Sequence, residues 1–549
     1  MTAPLPNRRA ALGALTALGA FGALASGCVG PDRPAPLLEP APPLSPPPSL
    51  PGVADVTPPW PAADLPPAAP RELRGAWIAT VANIDWPSRP GLPAAQQRSE
   101  ALALLERARE LNLNLLVLQV RPAGDAIYPS ALEPWTEFLS GAQGRAPWLA
   151  GEAPWDPLAF WVEQAHARGI ELHVWFNPYR ARHSAAKSPP VAPHLAVREP
   201  TLVKRYGEQL WMDPGEPAAA EHTLAVVADV LRRYAVDGVH IDDYFYPYPV
   251  LQNPAAGPGS AELPFPDGAS YARHRAAGGS LARDDWRRAN VDSLVEQLHD
   301  TVHRVRPGTR FGISPFGIGR PERRPAGITG FSQYDKLFAD VEKWLQQGWL
   351  DYLVPQLYWP IERKGQEFPV LLAHWQRELA ALSPAPQRHL WPGLFTSQVK
   401  RTGDEATGPR AWPAAELLAQ VQLMRQQGTP GHIHFSMVAL MQDRDGLATA
   451  LRAGPYAEPA LVPATPWLDE RVPAAPTLRR EGERLLIEPG PGDVAVARWA
   501  LWRRIGGQWR FAVLPGAARP FAAEGADRVA LAAVSRTGVE GPRHLLSLA

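Results

Sequence analysis

The sequence predicts an α/β fold, a (β/α)8 TIM barrel followed by an all-β sandwich, and three observations carry that reading. Eight short runs rich in β-branched and aromatic residues alternate with segments of helical period between residues 71 and 460. Polar and aromatic residues crowd the carboxyl ends of those runs. After Pro463 the pattern turns into short strands punctuated by Pro-Gly and Gly-Gly turns.

In chain order, Arg8 and Arg9 precede an apolar run from Ala10 to Ala25 that ends at Ser26-Gly27-Cys28. A positive start, a short apolar middle and small residues at a cut site make residues 1–28 an export signal. The run is too short to cross a hydrocarbon core of about 30 Å as a stable anchor. Leu24-Ala25-Ser26-Gly27-Cys28 resembles a bacterial lipobox, which implies lipidation of Cys28, the one cysteine among 549 residues. Asn7-Arg8-Arg9 also loosely resembles a twin-arginine signal. Residues 29–70 hold sixteen prolines and read as a semi-rigid extended tether. Val29 directly follows the cysteine, which by resemblance to Gram-negative lipoproteins implies the outer membrane, facing the periplasm.

Strands are expected at residues 73–80, 113–122, 170–177, 236–244, 310–316, 350–359, 389–395 and 431–440, within a barrel domain spanning 71–460. Ala101, Leu104, Leu105, Ala108 and Leu111 have helical spacing before strand two. Leu158, Trp161 and Ala165 repeat it before strand three, with Asp156 as N-cap. A helix over 284–306 ends at Pro307-Gly308. Residues 246–284, rich in Pro, Gly and Ala, are expected to form a long loop above the barrel mouth, with Phe265, Asp267 and Tyr271 as ordered parts of a cleft wall. The region 472–549 is expected to be the sandwich. Ala532 to Glu540 resembles the last strand and turn of a fibronectin type III domain, and the module carries no catalytic cluster, so a spacer or glycan-contact role is expected.

Barrel chemistry sits at the carboxyl ends of the strands. There the sequence places Arg121 and Asp125, then Trp175, Asn177 and Arg180, then His240, Asp242, Asp243 and Tyr244, then Gln356, Tyr358 and Trp359. Alternation puts Val239 and Ile241 toward the helices, and His240, Asp242 and Tyr244 toward the axis. Asp243 has the opposite parity and reaches the site only if the strand ends or bulges before it.

Carboxylates at an aromatic-lined mouth can cut glycosidic bonds, one protonating the leaving oxygen while another attacks, activates water or stabilises positive charge. Asp242, Asp243 and Asp125 are the candidate catalytic acids; adjacent burial should drive the pKa values of the first two apart. Arg121, Trp175, Asn177, Arg180, His240, Tyr244, Gln356, Tyr358 and Trp359 are the candidate substrate contacts, although Arg121 could equally pair with Asp125. Trp86, Trp135, Trp211, Tyr246 and Tyr248 offer further sugar-stacking faces. His432 and His434 have the spacing of a strand metal pair, but strand one carries no matching pair and no thiolate set exists, so neither metal nor cofactor is expected. Asp351 and Glu342 read as solvated or capping charges. The balance of 55 basic and 55 acidic residues argues against nucleic-acid coating.

Arg74 to Thr80, Gln119 to Trp135, Trp175 to Arg180, Asp237 to Tyr246, Asp285 to Asn290, Phe311 to Gly319 and Pro355 to Trp359 together resemble the glycosyl-hydrolase-like 10 family of bacterial lipoproteins. That resemblance implies a glycosidase acting on bacterial polysaccharide, especially peptidoglycan glycan strands stripped of stem peptides. A more distant similarity is to family-18 chitinases. Here Val239-His240 stands where those enzymes have another acid and Tyr244 replaces their catalytic Glu, so only Asp242 and the Gln356-Leu357-Tyr358 stretch carry over. The missing Glu keeps an alternative open: a non-catalytic glycan-binding lipoprotein.

Overall fold

The computed structural model describes residues 60–255, 260–382, 388–400, 411–517 and 520–548. The stretch expected to be an export signal, Cys28, and the expected tether up to residue 59 lie outside the described residues. Barrel strands are labelled β1 (Leu73–Ile78), β2 (Leu115–Arg121), β3 (Glu171–Phe176), β4 (Gly238–Ile241), β5 (Arg310–Ile313), β6 (Tyr352–Leu353), β7 (His389–Leu390 and Gly393–Leu394) and β8 (Gly431–His434). All pair in parallel, and β7 closes the ring, its first piece bonding β6 and its second β8. Helices Ala94–Glu110, Pro157–His166, Pro217–Arg233, Arg283–Val305, Val341–Gln347, Phe368–Ala380, Ala414–Gln426 and Leu447–Ala453 follow the eight strands in turn.

Several strands are shorter than the apolar runs that announce them, and proline explains two of the cases. Pro355 and Pro392 have no N–H to donate, so the ladder stops before each and resumes at Gln356 and Gly393. Helix starts follow local chemistry: Asp156 Oδ1 accepts from the Ala159 amide at 3.1 Å, as expected of an N-cap. The expected loop over 246–284 is instead interrupted by a helix, Gly268–Ala276. Asp267, buried just before it, pairs with Arg283 and Arg287 of the next barrel helix. Tyr271 packs on Trp286 and His274 and does not line the cleft described below.

The barrel interior is a packed column. Val239 and Ile241 join the apolar layer beneath the helices, while Leu73, Trp77, Leu115, Val117, Trp175, Tyr352, Trp391 and Ile433 fill the axis. A Cβ at Gly312 would fall inside the Tyr352 ring, and one at Gly238 would meet His173, so glycine at both positions makes room for the rings. No described helix is long and apolar enough to cross a membrane.

The C-terminal region forms two antiparallel sheets, one from Thr477–Glu481, Arg484–Glu488 and Phe521–Ala522, the other from Gln508–Pro515, Arg498–Ile505, Arg528–Val534 and Glu540–Ser547. Trp499, Leu501, Leu531, Leu485 and Ile487 fill the space between them. This module sits under the amino-terminal ends of the barrel strands. Arg498 reaches Glu171 at the start of β3, at 3.2 Å, and Arg71 donates to the Gly538 carbonyl at 2.9 Å. Residues from Trp60 onward lie along it: Trp60 stacks near Trp509, and Asp64 pairs with Arg504 and Arg528 at 2.9 Å each.

Candidate active site

At the opposite end, where the strands finish, a cavity of about 90 Å3 opens between two unlike walls. One wall is polar: Arg180, His183, Asp242, Asp243, Tyr244, Ser314 and Gln356. The other is apolar: Trp77, Val81, Ala82, Ile84, Tyr358, Phe395 and Phe435, with Trp175 at the floor. A second cavity of about 360 Å3 lies between the lower end of the barrel and the C-terminal module. Its lining includes Arg109, Arg168 and Arg498 but no carboxylate, so it lacks an acid or base for hydrolysis.

Asp242 and Asp243 are both buried at this mouth. β4 ends at Ile241 and the chain turns, with the Phe245 amide bonding the Asp243 carbonyl at 3.0 Å, so Asp243 swings into the cleft despite its parity. Asn177 donates Nδ2 to Asp242 at 2.6 Å. Its own Oδ1 accepts from Gln119 and from Arg180, each at 2.7 Å, which fixes the amide's orientation. Tyr248 donates its hydroxyl to Asp243. Burial pushes Asp242 up to about 7, with Asp243 adding to the rise and Arg180 only partly opposing it. Burial likewise lifts Asp243 to about 6 against the hydrogen bonds from Tyr248 and Gln356. The pair therefore titrates as a unit near neutrality, holding a transferable proton beside a carboxylate.

Other expected residues divide into cleft, support and neither. Trp175, Arg180, Tyr244, Gln356 and Tyr358 line the cavity. Arg180 sits over the Tyr244 ring at 5.0 Å, and Gln356 donates to the Ser314 carbonyl at 3.0 Å. Asn177 supports Asp242 and does not line the cavity. His240 faces the axis as its parity requires, yet lies one layer too deep: Trp77 donates to its Nε2 at 3.3 Å, and Tyr352 Oη is 3.1 Å from Nδ1. Trp359 packs edge-on against Phe316 and stands outside the cavity lining.

Arg121 and Asp125 are corrections. A bulge between Gln119 and Arg121 places Arg121 opposite Phe176, whose side chain belongs to the helix-facing layer. Arg121 therefore points away from the axis and grips Glu133 through Nε at 2.9 and 3.0 Å and Nη2 at 2.6 Å; its partner is not Asp125. Asp125 accepts from the Ala123 amide and Gln143, is lifted by burial to about 6, and does not reach the cleft. Among the aromatic candidates, Trp86 packs on Trp161, Trp211 is fully buried, Trp135 packs on Trp148 and Tyr246 meets Phe265 and Phe338. Tyr248 acts through Asp243. His432 and His434 both bond the Tyr456 hydroxyl, and no metal-binding cluster occurs among the described residues.

The residues that sequence reasoning missed are mostly apolar. Two are polar, Ser314 and His183: the His183 Nδ1 accepts from the Ala185 amide at 3.0 Å, while burial and Arg180 lower its pKa to about 3. The ring is thus neutral, with its proton on Nε2 available to donate.

The model of the family described as glycosyl hydrolase-like 10 matches residues 72–406, which contain β1 to β7 and both carboxyls of the cleft. The chain belongs to the glycosyl hydrolase-like 10 family. Within it, the chain is 37% identical over 454 residues to the glycosyl hydrolase YngK of Bacillus subtilis, covering 80% of this chain and 84% of that protein. It is 34% identical over 352 residues to the glycosyl hydrolase DigH of Escherichia coli K12, covering 60% and 75%. Among solved structures, the PgaB glycoside hydrolase domain of Bordetella bronchiseptica aligns at 13% identity and a TM-score of 0.42, over 69% of this chain and 98% of that one. In this glycosyl hydrolase-like 10 chain the family match ends before β8, so Phe435 and Ser436 come from beyond the matched stretch.

Proposed function

We propose that this protein is a glycosidase that cleaves amino-sugar polysaccharide, specifically peptidoglycan glycan strands, by carboxylate acid/base chemistry. One observation carries the reading: two adjacent buried carboxyls, both raised toward neutrality, open into an aromatic-walled cleft at the carboxyl ends of a barrel. The pair shares a proton near neutrality; Asp242 delivers it to the leaving glycosidic oxygen, Asp243 faces the developing positive charge as a carboxylate, and water then adds at the anomeric carbon and returns a proton to the pair. Arg180 and His183 donate to sugar hydroxyl or acyl oxygens, and Trp175, Tyr244 and Tyr358 offer ring faces to the pyranose.

Residues 1–28 export the chain, a lipid on Cys28 anchors it in the outer membrane facing the periplasm, and the proline-rich stretch holds the barrel off the bilayer. The C-terminal module is fibronectin type III-like. Support for peptidoglycan comes from the family membership together with this envelope address. The test is to incubate the protein with native and peptide-stripped peptidoglycan and identify products by mass. Release of glycan fragments, faster from stripped strands, is expected; binding without new reducing ends would replace the hydrolase with a glycan-binding protein.

A further inference from the structure

Three loops far apart in sequence join Trp77 and Tyr358 to build the apolar wall of the cleft. Val81, Ala82 and Ile84 follow β1, Phe395 follows β7 and Phe435 follows β8. Their rings form one cluster: Phe435 meets Trp77 at 6.0 Å and Tyr358 at 5.9 Å, and Tyr358 stacks on Phe395 at 4.9 Å. Apolar contact alone is non-directional and would not set the height of three loops relative to one another.

A chain of polar contacts runs behind this wall and supplies the direction. Asp85 Oδ2 accepts from the Ala79 amide at 2.8 Å, which folds the β1 loop back on its own strand. Asp85 Oδ1 accepts from the Ser436 hydroxyl at 2.9 Å and from the Val438 amide at 2.7 Å, which reaches the loop after β8. The Ser436 amide donates to Ser397 Oγ at 3.0 Å, and the Ser397 amide donates to the Phe435 carbonyl at 2.8 Å, which brings in the loop after β7. Arg444 donates to the Ser397 carbonyl at 2.7 Å and closes the outer side. The β1 loop needs such a clasp, because Ala82 and Asn83 both hold positive φ, 52° and 55°, in the left-handed region that non-glycine residues seldom occupy. Asn83 contributes a second tie, donating to the carbonyls of Pro87 and Phe138 at 2.9 and 2.8 Å.

We propose that Asp85 is a positioning residue that, through Ser436 and Ser397, fixes the apolar wall against which the sugar is held. Asp85 itself does not line the cavity. The inference rests on the glycosidase reading for its consequence: the wall binds the sugar in ground and transition states alike, so loosening it should raise KM more than it lowers kcat. The carboxylate is suited to the task because it accepts three donors from two loops at once, which an amide at the same place would not.

Two measurements test this. Amide hydrogen exchange on the full chain should rise together over residues 80–86, 395–398 and 435–438 in Asp85→Asn and Ser436→Ala, while β2 to β4 keep their protection. On glycan strands the same variants should show KM raised about tenfold with kcat within about twofold, and Ser436→Thr, which keeps the hydroxyl, should restore wild-type KM. Exchange confined to the loop that carries the substitution, or an unchanged KM where the wild type turns over, overturns the proposal. A wild type without turnover would refute the glycosidase reading, and the exchange pattern would still decide the role of Asp85.

Discussion

The two ends of the barrel bury the same kind of side chain and treat it in opposite ways. At the lower end Glu72, Glu171, Asp237 and Asp351 stand at or just before the starts of β1, β3, β4 and β6, and each is met by a basic partner. Glu72 has Arg74 and Arg425, Glu171 has Arg310 and Arg498, Asp237 has His166 and Arg536, and Asp351 has His303. Burial pushes all four upward, but these partners outweigh it and hold every one below the usual carboxylate range. At the upper end burial wins, and Asp85, Asp125, Asp242 and Asp243 are all raised. Glu133 shows that the partner and not the location decides. It belongs to the loop after β2, yet against burial the Arg121 guanidinium and His222 hold it down to about 2. Among the described residues no ion pair reaches Asp242 or Asp243. Two of the four lower carboxyls, Glu171 and Asp237, pair with arginines of the C-terminal module, and the upper end leaves Asp242 and Asp243 raised beside the cleft.

The sharpest way to break this contrast is Asp242→Asn. It removes the proposed proton donor without leaving a buried charge, so glycan turnover should fall by roughly three orders of magnitude while Tm stays level or rises. Product analysis by mass and a thermal melt on one preparation check both halves; wild-type turnover would place the acid elsewhere. The mirror-image change is Glu171→Gln. Arg310 and Arg498 would then lose the buried carboxylate that pairs with both, at a cost of about 3–5 kcal/mol read by denaturant unfolding, with KM unchanged. A loss below 1 kcal/mol would mean that the junction does not depend on this ion pair.

How much of this could be read from the residues follows from which interactions are local. Strand positions and facing were legible because apolar and polar residues alternate, and Asp242 was found through the parity of Val239 and Ile241. Depth was not: His240 has the right parity, but only the packed rings of Trp77 and Tyr352 place it beneath the cleft. Arg121 was misplaced because a bulge, invisible in the pattern, reversed its side. Asp351, which reads as a solvated or capping charge, is buried and receives the Phe311 amide at 2.8 Å. The apolar wall was missed because Val81, Ala82, Ile84, Phe395 and Phe435 are of types that core and cleft share, and the Asp85–Ser436 bond joins residues 351 positions apart.

The raised carboxyls of the upper end and the paired carboxyls of the lower end bias stability in opposite directions as pH changes. Asp85, Asp125, Asp242 and Asp243 titrate higher in the folded chain than the value of about 3.9 expected for an unfolded Asp. Their stabilising contribution is complete below pH 4 and is lost as pH rises through about 6 to 7. Glu72, lowered to about 2, and its lower-end companions contribute fully above the unfolded value and lose that contribution as pH falls. Histidines that burial holds neutral, His183, His374, His389 and His432 among them, gain stability over much of the same range and oppose that loss, so the upper-end effect is read as a difference: from pH 3 to 8 the wild type should lose stability relative to Asp242→Asn as pH rises through about 7. A difference in Tm between the two that does not change with pH would mean that Asp242 is not raised.

Arg121→Lys gives the smallest effect and separates support from substrate contact. Lysine keeps the charge beside Glu133 but offers a single point donor where the guanidinium makes a fork and also holds the carbonyls of Asn177 and Pro178, at 2.6 and 3.1 Å. The expected cost is about 1–2 kcal/mol in unfolding, with KM for glycan within about twofold of wild type. A KM raised tenfold with stability untouched would bring Arg121 back to the substrate, where its place in the sequence had put it. It would also mean that the bulge after Gln119 does not turn the side chain away from the axis.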